Sequence, residues 1–101
     1  MTERRTMRLD LRDVPPGSIH PVTGSVCVVH TADGLFAVGR RCPHQAADLA
    51  NGYLHGGWLR CAWHNLPFDP RTGQSPCRSI PALRTYPLTE VSPGVYELDL
   101  G

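Results

Sequence analysis

Along much of this chain apolar and polar side chains alternate with period two, and turn-forming residues interrupt the alternation every few positions. Met7, Leu9 and Leu11 alternate with Arg8, Asp10 and Arg12, the period of a half-buried strand, and Val14-Pro15-Pro16-Gly17 ends it in a turn. Ser25 to His30 and Leu35 to Val38 flank Ala32-Asp33-Gly34, whose Asp-Gly pair predicts a hairpin. A loop then begins at Arg41-Cys42-Pro43-His44, and Ala46 to Ala50 predicts one helical turn ended by Asn51-Gly52. Tyr53-Leu54 and Trp58-Leu59-Arg60 form a second short hairpin about His55-Gly56-Gly57, and its second arm runs straight into Cys61. Phe68 to Gly73 is a strand end and a turn. Leu83 to Val91 and Val95 to Leu100 pair around Ser92-Pro93-Gly94 as a final hairpin. The expected fold class is all-β: a small antiparallel barrel or sandwich of short strands, with the chemistry in two protruding loops. No internal repeat, linker or low-complexity segment is visible, so residues 1–101 read as a single domain.

Composition sharpens this picture. A domain of 101 residues has a marginal core, which a metal staple would help. Pro and Gly, 10 each, favour many turns and short strands over long helices. No apolar run approaches the length of a membrane span. Arg4-Arg5 resembles a twin-arginine export signal for two residues only, and no apolar stretch follows it, so a cytoplasmic protein is expected. A net charge of +1 gives nothing in favour of nucleic acid. Its distribution says more. Arg40, Arg41, Arg60, Arg71 and Arg78 face only Asp48 and Asp69 between positions 40 and 80, a local balance of +3. From position 81 onward Arg84 stands against Glu90, Glu97 and Asp99, a balance of −2. Such cations suit an acidic or polar docking face on a partner, or are simply solvated loop charges.

The candidate chemistry sits in Cys42-Pro43-His44 and, after sixteen intervening residues, Cys61-Ala62-Trp63-His64. Each half offers one thiolate and one imidazole in a tight loop. A [2Fe–2S] cluster can take two Cys on one iron and two His on the other, which raises its potential. Zinc can use the same four donors as a Cys2His2 set. Four unrelated buried residues would not account for two mixed pairs, each at ligand spacing. The helical turn and hairpin between the halves bring the second pair back beside the first. Two disulfides are the other use for four cysteines, but the histidine spacing and a reducing cytosol argue against them. Cys27, in the apolar run Val26-Cys27-Val28-Val29, reads as a buried structural thiol. Cys77, in the loop Ser75-Pro76-Cys77-Arg78, is read as structural in preference to reactive. His20 beside Pro21 and His55 at a hairpin tip read as exposed loop residues, and His30 as a surface or packing residue of a strand.

These motifs, with Phe68-Asp69-x-x-Thr72-Gly73, resemble a Rieske [2Fe–2S] domain, and the likeness extends over nearly the whole chain. Asp13-Val14-Pro15-Pro16-Gly17 resembles the early turn of the small Rieske ferredoxins, and Leu83-Arg84-Thr85-Tyr86-Pro87-Leu88 their closing strand. The resemblance implies one [2Fe–2S] cluster, with Cys42 and Cys61 on one iron and His44 and His64 on the other. The histidine-bound iron would lie toward the surface as the electron exit, and nearby Arg would ease the negative charge that reduction adds. The respiratory type of this family carries an extra Cys in each loop, where this chain has Gln45-Ala46-Ala47 and Ala62-Trp63. That type also carries Ser and Tyr hydroxyls where this chain has Leu66 and Phe68. With fewer donors toward sulfur, the expected potential lies at the low end of the Rieske range, near about −150 mV. Where many members have Gly after the second His this chain has Asn65, the next most tolerant residue for a positive φ. Trp63 reads equally as a cluster shield or as core. Of the two candidates for the proline-bearing loop that covers the cluster in this family, Pro81, between Ile80 and Ala82, is preferred over Pro76.

The implied function is that of a Rieske ferredoxin, passing single electrons from an NAD(P)H-dependent ferredoxin reductase to a terminal oxygenase. It would be a monomeric carrier rather than a complete enzyme, since there is no room here for the oxygenase's mononuclear-iron domain. A small Rieske-like subunit of a nitrite reductase-type complex is the runner-up. A structural zinc module is the reading from another class.

Overall fold

A computed structural model describes residues 4–43, 47–62, 65–77 and 79–101. Strands β1 (Thr6–Asp10), β2 (Ile19–Pro21), β3 (Val26–Thr31) and β4 (Gly34–Gly39) precede a 3₁₀ turn, Leu49–Asn51. Then come β5 (Tyr53–His55), β6 (Trp58–Arg60), β7 (Pro67–Phe68), β8 (Thr85–Tyr86), β9 (Leu88–Ser92) and β10 (Val95–Asp99). They make three sheets, ordered β1-β10-β9, β2-β3-β4-β8 and β5-β6-β7, and every pairing is antiparallel. The all-β expectation holds.

The middle sheet separates two cores, and β3 shows why its sequence is apolar without alternation. Side chains alternate across a strand. Cys27 and Val29 therefore enter the core shared with Val38, Cys42, Leu49, Leu59, Cys61, Phe68 and Leu83. Val26 and Val28 enter the opposite core, with Leu11, Val14, Ala37 and Leu98. A strand buried on both faces needs a continuous apolar run. β1 has one covered face only, so Met7 and Leu9 are half-buried while Thr6, Arg8 and Asp10 are exposed.

The local hairpins fall where turn chemistry puts them. Gly56 and Gly57 take φ +60 and +84, the two positive values a two-residue type I′ turn requires. The β3–β4 turn is Ala32-Asp33, one residue earlier than the Asp-Gly pair suggests, and the positive φ (+126) falls on Gly34 as the first residue of β4. The helical turn expected from Ala46 starts later, as 3₁₀ at Leu49, because the Asp48 carboxylate caps it by accepting the Ala50 N–H at 3.0 Å. Gly52 follows because a Cβ there would lie 2.2 Å from the Arg60 carbonyl oxygen. Two further differences are corrections. The predicted strand Leu83 to Val91 is interrupted at Pro87: β8 joins the middle sheet beside β4 and β9 joins β10. His20 is exposed as expected, but it lies in β2, paired with Val28, not in a loop.

Candidate metal centre

Each cysteine sits in a loop of the same construction. At the first, the Cys42 N–H donates to the Ala47 carbonyl (2.8 Å), Arg41 bridges Asp48, and the Leu49 N–H donates to the Arg40 carbonyl (2.7 Å). At the second, the Cys61 N–H donates to the Leu66 carbonyl (3.1 Å), Arg60 pairs with Pro67, and Leu59 pairs with Phe68. In both, the cysteine N–H closes onto the residue five positions on, and the residue seven positions on is a fully buried apolar side chain, Leu49 or Phe68. The thiols themselves are shielded: Cys42 is 2% exposed and Cys61 1%, and both belong to one core. Yet the next residue in each loop, Pro43 and Ala62, is exposed. The two thiols therefore lie one residue beneath the surface.

His44 and His64, the two predicted imidazole donors, lie outside the described residues, as do Gln45, Ala46, Trp63 and Arg78. Among the described residues no three His, Cys, Asp or Glu side chains gather as a metal-binding group. Of the other histidines, His30 is half-buried with Nδ1 2.8 Å from the Val14 carbonyl, a packing residue as expected. His55 is exposed at the end of β5. Cys27 is fully buried in β3, where burial pushes its thiol up to about 12. Cys77 departs from the structural role preferred for it: its side chain is exposed, and only its backbone works, accepting the Ile80 N–H at 3.0 Å.

The arginines counted around the loops are partly matched within the fold. Arg40 grips Asp48 through two bonds of 2.8 Å and reaches the Thr23 carbonyl at 2.9 Å. These hydrogen bonds, above all, hold the Asp48 carboxyl down at about 2, with Arg41 adding to the effect. Arg71 leans on Asp69 and Asp33. Period-two reading gives no warning of the Arg40–Asp48 clamp, although opposite charges flanking a ligand loop were a usable signal.

The segment after the second loop is a folded turn. The Gly73 and Thr72 N–H groups donate to the Asp69 carbonyl (2.6 and 3.2 Å), and the Leu83 N–H donates to the Gly73 carbonyl (2.7 Å). Gly73 and Leu83 thus meet at a closed neck, and between them Pro76 and Pro81 are exposed while Ile80 packs against the core that holds Cys42 and Cys61.

This donor set fits an iron–sulfur group. Two loop-borne thiols in one core, each next to an exposed residue, are the soft ligands such a cluster uses, whereas Cys27 lies within β3 and has no such loop around it. No helix among the described residues is long and apolar enough to cross a membrane.

Known proteins agree with this geometry. The Rieske [2Fe–2S] domain model matches residues 6–92. The ferredoxin component of the naphthalene 1,2-dioxygenase system of Pseudomonas aeruginosa is 30% identical over 92 residues, covering 87% of this chain and 88% of that protein. A chain from the complex of reduced oxygenase and oxidized ferredoxin in carbazole 1,9a-dioxygenase superposes with a TM-score of 0.75 at 26% identity, covering 93% of this chain and 92% of that one. A structure assigned to the small subunit of an NADH-dependent nitrite reductase from Mycobacterium tuberculosis gives a TM-score of 0.82 at 20% identity, with coverage of 99% and 98%, a likeness of fold alone. Matched over most of its length, and with the two motif cysteines buried in paired loops, the chain belongs to the Rieske [2Fe–2S] domain family, whose cofactor is one [2Fe–2S] cluster.

Proposed function

We propose that this chain is a Rieske-type ferredoxin, a one-electron carrier between an NAD(P)H-dependent reductase and a terminal oxygenase. The observation that carries the reading is extent: 87% of the chain aligns with 88% of a dioxygenase ferredoxin component, so likeness covers two proteins of similar span. In this reading residues 1–101 act as one domain, as a monomer in the cytoplasm, where thiols stay reduced. Cys42 and Cys61 would hold one iron, and His44 and His64 the other. When bound, the cluster takes up and returns one electron at a time.

The remaining work belongs to the chain's own residues. Leu49, Leu59 and Phe68 exclude water from behind the thiols. Pro43 and Ala62 leave only a thin exposed rim between the thiols and a docked partner. Leu66 and Phe68 bring no hydroxyl toward the site, which supports a potential near about −150 mV rather than the positive end of the range. Pro81 is the better candidate for the covering loop, since its neighbour Ile80 reaches the cysteine core.

The test is electron paramagnetic resonance of anaerobically purified, dithionite-reduced protein, with iron and zinc quantified on the same sample. The expected result is a Rieske signal of low average g with two irons per chain. A silent sample with one zinc per chain would overturn the proposal in favour of a structural module. Stable co-purification with a large reductase subunit would move it to the nitrite reductase-type reading.

A further inference from the structure

Asn65 is held at three points. Its N–H donates to the Cys61 carbonyl at 2.8 Å, its own carbonyl accepts from Arg60 Nη1 at 3.2 Å, and its side-chain Oδ1 accepts from the Tyr53 hydroxyl at 2.6 Å. Its φ is +54, the one positive value among described residues other than glycine. Asparagine tolerates that region better than most side chains. Glycine at this position would supply the backbone angle but offer Tyr53 nothing to bind.

The two side chains that reach Asn65 start from one place. Tyr53 and Arg60 are direct cross-strand partners on β5 and β6. Arg60 immediately precedes Cys61, and Asn65 immediately follows His64. The first loop needs no such device, because Arg40 and Asp48 clamp its two ends. The equivalent pair of positions in the second loop is Leu59 and Pro67, which cannot form an ion pair. The polar contacts on the second loop therefore converge on Asn65 instead, Arg60 reaching its carbonyl and Tyr53, from the neighbouring strand, its side chain. Tyr53 is 43% exposed, so its hydroxyl is engaged although its ring is not needed to fill a core.

We infer that Tyr53 is a positioning residue for the second ligand loop: through its hydrogen bond to Asn65 Oδ1 it holds Asn65 against the Cys61 carbonyl and slows release of the cluster. This rests on the reading that Cys61 and His64 are ligands.

A double-mutant cycle on the cluster-loaded protein tests it, with Tyr53→Phe, Asn65→Gly and the double variant. Tyr53→Phe keeps the ring and Asn65→Gly keeps the positive φ, so each removes one end of a single bond. The readout is the rate at which a ferrous chelator takes iron from the protein, well below the thermal midpoint, with the reduced spectrum recorded alongside. Each single variant is expected to lose iron roughly threefold to tenfold faster, the net weight of one hydrogen bond. The double variant should be no faster than the faster single one, and the same small displacement of g values should appear in all three. If wild type shows the Rieske signal but Tyr53→Phe loses iron at the wild-type rate, or the two effects multiply, the Tyr53 assignment falls and the carrier reading stands. If wild type shows no such signal, both fall.

Discussion

Gly73 is expected to be one of the least replaceable positions outside the ligand loops, and a matched control can show why. Its φ is +79, and a Cβ there would lie 2.1 Å from the Leu83 carbonyl oxygen and 3.0 Å from its carbon. Gly17 has nearly the same φ, +83, with nothing within 4 Å of the added carbon. Gly17→Ala therefore carries the backbone cost alone, about 1–2 kcal/mol for a left-handed residue. Gly73→Ala carries that cost and also drives the Leu83 backbone away by more than an ångström. The Leu83 N–H bond to the Gly73 carbonyl is lost, worth about 1 kcal/mol net. Leu83, 5% exposed in the cysteine core, also gives up part of the roughly 1.5–3 kcal/mol that burying a leucine supplies.

The two substitutions should differ by about 2 kcal/mol, or about 8–16 °C in melting temperature for a domain of this size. Circular dichroism melts of the loaded proteins, run anaerobically at one scan rate because metal loss makes unfolding irreversible, measure that difference. The neck between Gly73 and Leu83 should open as well, so iron in Gly73→Ala should reach a chelator faster at 25 °C while Gly17→Ala stays close to wild type. Melting of both variants within about 3 °C of each other would refute the reasoning, since backbone angle alone would then explain both.

Asp48 makes a second test. Its folded pKa is depressed, to about 2, so its stabilising effect is complete above 3.8 and is lost as pH falls from there toward 2. Asp48→Asn should flatten the acid-unfolding profile across that window, whereas Asp10→Asn, whose exposed partner Arg12 contributes little, should not; parallel profiles for Asp48→Asn and wild type would remove the clamp from the account. Phe68→Tyr places a hydroxyl in the core that holds both cysteines. Protein-film voltammetry should find the potential raised by about 45–85 mV, from a donor bond that strengthens by about 1–2 kcal/mol on reduction, and an unchanged potential would show that no donor reaches sulfur from this position. Iodoacetamide at pH 8 should label Cys77 in the native loaded protein and spare Cys27, whose thiol burial holds near 12; an adduct on Cys27 by mass spectrometry would contradict that burial.

What was legible in the sequence was local. The β3–β4, β5–β6 and β9–β10 hairpins each announce themselves within a dozen residues by period and by glycine-bearing turns, and the cysteine–histidine pairs by their spacing. What was not legible depends on distant partners. β2 is three residues ending in Pro21, too short and polar to carry a period, and becomes a strand because β3 offers it an edge. Thr85-Tyr86 looks continuous with Leu88, yet Pro87 divides them between sheets. The apolar run 26–29 shows burial but not that its alternate side chains serve two cores. At the site, Asn65 was readable as a positive-φ residue, which its φ of +54 bears out, while its bond to Tyr53, twelve residues away, has no local trace.

The paired loops carry one further step of reasoning. No internal repeat is visible in the sequence, because beyond the shared Arg41-Cys42 and Arg60-Cys61 the equivalent positions differ: Arg40 answers Leu59, Asp48 answers Pro67, Leu49 answers Phe68. They share backbone bonds instead, the cysteine N–H closing five residues on and the strand-like pairing on either side of it. Backbone closure of this kind constrains loop length and leaves composition free, so the repeat survives in geometry after it has vanished from the sequence. The histidines confirm which variable is free: His44 stands two positions after its cysteine and His64 three, within closures of equal length. Each loop thus fixes its thiol by backbone and must fix its remaining residues by side chains. The two do so by different means, an ion pair across the first, and Tyr53 from β5 with Arg60 from β6 on the second. The Arg40–Asp48 pair weakens with acid and the Tyr53–Asn65 bond does not, so lowering pH toward 2 should loosen the first loop before the second. Amide exchange quenched across that range would show it as earlier loss of protection at Cys42 than at Cys61, and simultaneous loss would mean that the shared core, not the separate clamps, holds both loops shut.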